Sequence, residues 1–392
     1  MKQALRTHGV HFIPALDGLR AIAALAVFGV HYNQIVRLDY HLEPFSSNTL
    51  LANGEYGVSL FFSLSGFLLS LPYWQALANH TFFPDMRTYL LRRSARIIPA
   101  YYVALTALII LGNLWRIPDA RMDILLHYSF LFNYTEFSIF SINPPFWTLA
   151  VEAQFYLLLP CIFLLIRKFS PYGSWGVIIL LGIAAYAVHY LLISTITRIV
   201  PWPLNPWLTW IRPYGAVLSH SIQANLPHFL IGMGAGRLYL DLGRKMDGPH
   251  AMTKYISESV FWLCFLAVLF LLGTGYVEKI EAPYAPYGLP LVPLMLAAMI
   301  LTAPFTHVAG RILDGFPLRR LGLISYGIYI FHLPCLIYLD RAMTTFGLDA
   351  AEHRGLFGVL GLVISVLIAS ISYIVVEKPV MNFVRNRRVI LL

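Results

Sequence analysis

The sequence predicts an all-α fold, a polytopic membrane helix bundle of about ten transmembrane helices with one short re-entrant or interfacial helix. Composition is the first reason. Of 392 residues, 58% are hydrophobic and only 12% are charged, whereas a soluble domain carries roughly 45–50% apolar and about 25% charged residues. So little charge cannot coat a water-facing surface of this size, so the expected solvent is the lipid bilayer. The second reason is segment length. Apolar stretches near 15–36, 56–77, 97–114, 146–166, 174–196, 221–240, 258–276, 288–308, 322–340 and 356–376 each come close to the roughly 20 residues that a bilayer-spanning helix requires. The third is the placement of basic residues once those stretches alternate across the membrane.

The first stretch contains Arg20 and lacks a small-residue cleavage site, so it is expected to remain as the first span and not to be removed as a signal peptide. The stretch near 123–134 is too short to cross and contains Asp123, His127 and Asn133, which marks it as the re-entrant or interfacial piece. With the N-terminus inside, 19 Lys and Arg fall on the inner side and 8 on the outer, and Arg20 within the first helix completes the 28. Making 123–134 a full span would push every later basic cluster outside. The positive-inside rule therefore favours ten spans with both termini cytoplasmic. It also accounts for the net charge of +9 without a nucleic-acid partner.

Other features narrow the function classes. Cys161, Cys264 and Cys335 lie far apart in apolar stretches, so neither a disulfide framework nor a metal site is expected. No Gly-x-x-x-x-Gly-Lys loop is present, which argues against ATP-driven transport by this chain alone. Ser63-Leu64-Ser65-Gly66 lacks the first glycine of a nucleophile elbow. Gly232, Gly234 and Gly236 read as a helix-packing face. The segment 198–214, with Trp202, Trp207, Trp210 and several prolines, reads as an interfacial aromatic girdle or a platform for sugar rings. No long soluble insertion interrupts the spans, and about 16 residues follow the last one. Residues 1–392 are thus expected to form a single integral membrane domain, with no fused extracytoplasmic domain, that performs its own chemistry.

Ionisable residues inside spans are costly and mark candidate sites. Arg20 and His31 are eleven residues apart, about 16 Å along a helix and about 20° around it, so both look out from one face. Arg20 is either a snorkelling anchor or a site residue, and His31 either bonds a neighbouring carbonyl or takes part in chemistry. Glu152 lies well inside an apolar run, so a partner such as Arg20 or His31 is expected for it. Arg93 and Arg96 lie one turn apart in a basic cluster; they are either topological charge or a bidentate clamp for phosphates. Read alone, Arg20, His31 and Glu152 would also suit the substrate or proton path of a transporter or exporter, although no inverted repeat is visible.

These residues sit in a recognisable order. Pro14-Ala15-Leu16-Asp17-Gly18-Leu19-Arg20 followed by His31 resembles the opening Arg-x10-His motif of the acyltransferase-3 family. Gly57 to Phe67, Arg93-x-x-Arg96, Phe146-Trp147-Thr148-Leu149 with Glu152 and Phe155-Tyr156, Ser325 to Tyr329 with His332, and Glu377-Lys378-Pro379 are similar to its later segments, from about residue 14 to 380. Two positions depart: Ser59 and Ala153 stand where acidic residues are common.

The resemblance implies an acyl-CoA-dependent O-acyltransferase of the bacterial inner membrane. Its donor substrate would be acyl-CoA, with acetyl-CoA the expected form, and no cofactor would be permanently bound. The acceptor would be a hydroxyl of a cell-surface glycan or lipid-linked saccharide, or alternatively of a small molecule such as a macrolide. In this reading Arg93 and Arg96 dock the CoA phosphates. His31, with Arg20 and Glu152, does the chemistry, either as general base or as a covalent acyl carrier. His332 is either a structural histidine or a weaker member of the site.

Overall fold

The computed structural model describes residues 13–117, 120–199, 214–245, 251–280 and 286–386. Among these, ten helices of 12 or more residues follow one another. They are α1 Pro14–Val36, α2 Tyr56–Ala78, α3 Met86–Leu111, α4 Trp147–Ile166, α5 Pro171–Ile199, α6 Ile222–Lys245, α7 Ala251–Thr274, α8 Leu291–Thr302, α9 Ser325–Thr345 and α10 Arg354–Ser372. Extended structure among the described residues is one small hairpin, His41–Leu42 with Phe45–Ser46.

The chain is an integral membrane protein with the expected all-α helix bundle, and its described residues give fewer complete spans than the ten expected. Among the described residues seven helices are long and apolar enough to cross a bilayer, and there are eight if Phe316–Leu323 and α9, bent by 78° at their junction, count as one span. α6 and α8 fall where spans were expected and do not reach that standard. α8 has 12 residues, about 18 Å of helix against a hydrocarbon core of about 30 Å. α6 carries Asn225, His228, Arg237 and Asp241, which lower its apolarity. The expected short piece is the helix Ala120–Tyr128, nine residues long. It is tied to α3 where the hydroxyls of Tyr101 and Tyr102 donate to the carbonyls of His127 and Tyr128 at 2.9 and 2.8 Å. The Trp- and Pro-rich stretch 198–214 lies almost wholly outside the described residues.

Burial grades the helices from centre to rim. The apolar windows of α1 and of the segment containing α2 are 67% and 78% buried, whereas those of α5 and α7 are 22% and 17% buried. α1 and α2 are therefore the centre of the bundle, and α5 and α7 present apolar side chains to lipid. Close approach at the centre depends on glycine. A Cβ on Gly66 would lie 2.0 Å from the Phe229 carbonyl oxygen, and one on Gly232 would lie 2.1 Å from that of Ser63. Gly232 thus packs α6 on α2, as small residues do in membranes. At the start of α1, a Cβ on Gly322 would lie 2.0 Å from the Asp17 carbonyl oxygen, so Phe316–Leu323 presses directly on the turn that carries Arg20.

α3 begins eleven residues before the expected span. Asp85 caps it, accepting a hydrogen bond from the Thr88 backbone N–H at 2.8 Å. The arginine cluster is therefore inside the helix, in its second and third turns. The end of the bundle that holds this cluster and the start of α1 is called the basic face below.

Candidate active site

The side chains singled out in the sequence fall into two places. Arg20, Arg96 and Glu152 converge on the wall of one cavity of about 70 Å³, with Ser65, Tyr156, Tyr326 and Tyr329. His31 lies further along α1, outside that wall, and Arg93 is not on it either.

Within the cavity each charge has its own support. Arg20 Nη1 donates to Asp17 Oδ1 at 3.0 Å, and the two side chains are 23% and 7% exposed, so the pair is largely withdrawn from water. Glu152 Oε1 accepts from the hydroxyls of Ser65 and Tyr156, both at 2.8 Å. Tyr156 follows Glu152 by four residues, which puts the two on one helix face. The expectation that Glu152 pairs directly with Arg20 or orients His31 is therefore corrected. Hydroxyls from α2 and from its own helix reach the carboxylate, while Asp17, one turn back on α1, takes Arg20. Arg20 and Glu152 still act on each other electrostatically across the cavity.

Arg93 and Arg96 part company for a helical reason: three residues turn the side chain by about 300°, so neighbours one turn apart diverge by about 60°. Arg96 enters the cavity and lies within electrostatic reach of Glu377, a buried carboxylate in the π-helical turn Tyr373–Glu377. Arg93 runs beside Tyr73 and Tyr89. Its Nε and both phenol oxygens are buried without a hydrogen-bond partner among the described residues.

The second place is a pair of imidazoles. His31 Nδ1 is 2.9 Å from Gln34 Oε1, one turn on. With that oxygen as acceptor, Nδ1 carries the proton and Nε2 keeps its lone pair, a tautomer assigned from the hydrogen bond. The ring of His332 lies 5.0 Å from that of His31, centre to centre. Tyr329 links the two places. Its ring is 6.0 Å from His332, and its hydroxyl on the cavity wall accepts from Thr148 at 2.8 Å and donates to the Pro145 carbonyl at 3.1 Å. A column of polar rings thus runs from the charged cavity to His31.

Several members of this arrangement carried no assigned role in the sequence. Tyr156 had a usable signal, its four-residue spacing from Glu152. Ser65 and Tyr329 had none, because their partners come from other helices.

The charged side chains of the bundle thus meet in a small cavity lined by two guanidiniums, a carboxylate and hydroxyls, joined by polar rings to a histidine pair. A family model described as "Acyltransferase domain" matches residues 13–374, and the chain belongs to this acyltransferase-3 family. It is 26% identical over 399 residues to the peptidoglycan O-acetyltransferase OatA of Listeria monocytogenes, covering 97% of this chain and 57% of that protein. It is 27% identical over 411 residues to the acyltransferase MdmB of Streptomyces mycarofaciens, covering 96% of this chain and 93% of that one. The chain therefore spans little more than half the length of the first of these relatives. No solved structure matches it.

Proposed function

We propose that the protein is an acyl-CoA-dependent O-acyltransferase that moves an acetyl group from cytoplasmic acetyl-CoA to a hydroxyl of a cell-surface glycan or its lipid-linked precursor. One observation supports this above the others: Arg20, Arg96 and Glu152 share a cavity that polar rings connect to His31. The basic face is the cytoplasmic side of the inner membrane. The CoA phosphates sit on Arg93 and Arg96, and the acyl arm runs along α1 towards His31.

A sugar hydroxyl is a poor nucleophile until its proton is taken. Neutral His31 accepts that proton as the hydroxyl oxygen bonds to the thioester carbon. The carbon–sulfur bond then breaks, and the leaving CoA thiolate takes the proton from the imidazolium. In the covalent variant, His31 Nε2 itself attacks the thioester carbon and the carbon–sulfur bond breaks to release the CoA thiolate. The acyl-imidazole then passes the acetyl group to the hydroxyl oxygen, the imidazole is regenerated, and the hydroxyl's proton ends on the thiolate. Both routes need the same histidine and the same two substrates.

The test is transfer from radiolabelled acetyl-CoA by the purified protein in lipid nanodiscs, offered peptidoglycan fragments, a lipid-linked saccharide or a macrolide. Time-dependent release of free CoA thiol with label in one of the saccharides is expected. Label in the macrolide alone would move the acceptor to the small-molecule class. No transfer to any of them, with acetyl-CoA left intact, would favour the transporter or exporter reading.

A further inference from the structure

His332 is fully buried, and nothing in the reaction as written above uses it. Its Nδ1 lies 2.8 Å from the Tyr329 carbonyl oxygen and 3.1 Å from that of Ile328, both on its own helix. Carbonyl oxygens only accept, so Nδ1 is the protonated nitrogen and Nε2 is left with a lone pair. That Nε2 is buried and has no hydrogen-bond partner among the described residues. A buried polar atom without a partner costs about 1–3 kcal/mol, and such an atom in a native fold calls for an explanation. The ionisable or polar rings packed on His332 are His31 from α1, at 5.0 Å, and Tyr329 from its own helix, at 6.0 Å, with Phe28 completing the contact at 6.5 Å. The Tyr329 hydroxyl is already committed to Thr148 and Pro145. His31 is the remaining candidate partner among them.

From this juxtaposition we propose that His332 is a positioning residue for His31, whose Nε2 accepts the N–H that His31 gains when it takes the acceptor's proton. The inference rests on the acyl-transfer reading. Neutral His31 has one N–H, and Gln34 Oε1 receives it. The imidazolium has two, and in a helix that crosses the membrane the second needs an acceptor. While the tetrahedral adduct stands, the new N–H is shared between the adduct oxygen and His332 Nε2. When the carbon–sulfur bond breaks, the proton goes to the CoA thiolate and both rings return to neutral. No proton is gained or lost by the pair over the cycle. His332 need not touch either substrate, which agrees with its complete burial.

Two substitutions separate this role from packing or helix support. In His332→Asn the amide nitrogen occupies the place of Nδ1, so the bond to the helix carbonyls is kept and the Nε2 acceptor is lost. In His332→Gln the longer side chain brings a carbonyl oxygen to the place of Nε2, so an acceptor is restored without a titrating ring. Wild type, both variants and His31→Ala are compared in nanodiscs for acetyl transfer from acetyl-CoA to the same saccharide. His332→Asn is expected to lower kcat by about 10²-fold and His332→Gln by under about tenfold, a range that fits loss and repair of one hydrogen bond to a charged group. KM for acetyl-CoA should stay within about twofold of wild type in both. Equal kcat for Asn and Gln, or Asn more active than Gln, overturns the proposal, since a purely structural role prefers Asn. A wild type that transfers no acetyl group contradicts the acyl-transfer reading instead, a result seen in the same assay before any variant is compared.

Discussion

Arg20 of the charged cavity and His31 of the imidazole pair lie on the same helix, about 16 Å apart along α1, and the two places are built differently. In the cavity every charge has a close polar companion: Arg20 has Asp17, Glu152 has Ser65 and Tyr156, and Arg96 has Glu377 nearby. At the imidazole pair the polar atoms are fewer, and His332 Nε2 has no hydrogen-bond partner among the described residues. A site that binds a polyanion benefits from fixed, well-supported charge, because such charge costs no reorganisation on binding. A site that moves a proton benefits from groups with an unfilled acceptor. On the function proposed above, the contrast favours donor binding in the cavity and proton transfer at the histidines.

The largest expected effect breaks the second region. His31→Ala should leave a folded protein that still binds acetyl-CoA and transfers acetyl at under about 1% of the wild-type rate, since a general base contributes about 10²–10⁴-fold. His31→Gln should not rescue it, because an amide hydrogen-bonds but takes no proton at neutral pH. Single-turnover assays on purified variants check both, and near-normal transfer by His31→Gln would place the base elsewhere, with Glu152 the next candidate.

The next effect breaks the first region. Arg96→Ala should raise KM for acetyl-CoA by about 10–100-fold, the loss of one charge-assisted contact, with KM for the acceptor nearly unchanged. Lysine should restore it only in part, lacking the planar fork. Arg93→Ala should raise the same KM by a smaller factor, because Arg93 is off the cavity wall. Steady-state kinetics with each substrate varied in turn reads the difference; equal effects would mean that both arginines hold the donor alike.

A smaller effect sharpens the boundary between regions. Tyr156→Phe removes one of two hydroxyl donors to Glu152 and should cost about tenfold in kcat/KM for acetyl-CoA, whereas Arg20→Lys should keep measurable activity, since Arg20 makes a single contact to Asp17. Topology has its own check. A cysteine at Ser94 should be labelled only from the cytoplasmic side and one at Ser47 only from outside, and labelling at Ser94 from outside would invert the donor's entry.

How far the sequence reached follows the same division. The bundle was legible because lipid forces helices and an apolar composition, and the order of Arg20, His31, Arg93, Arg96 and Glu152 marked the family. Span completeness was not, since α8 is too short and α6 too polar for hydropathy alone to settle. Partners within one helix, such as Glu152 with Tyr156, follow from helical spacing. Partners between helices do not: nothing local says that Ser65 meets Glu152 or that His332 comes to rest against His31. Such close approaches as those at Gly66, Gly232 and Gly322 are likewise visible only in the packed bundle.

The most direct test of the account is a kinetic comparison of Arg96→Ala with His31→Gln in one nanodisc preparation, with acetyl-CoA and a single saccharide each varied. The account predicts that Arg96→Ala moves chiefly KM for acetyl-CoA, and that His31→Gln loses kcat by about 10²-fold or more with donor binding intact. Loss of donor binding in His31→Gln, together with an unchanged KM in Arg96→Ala, would contradict the separation of donor binding from proton transfer along α1.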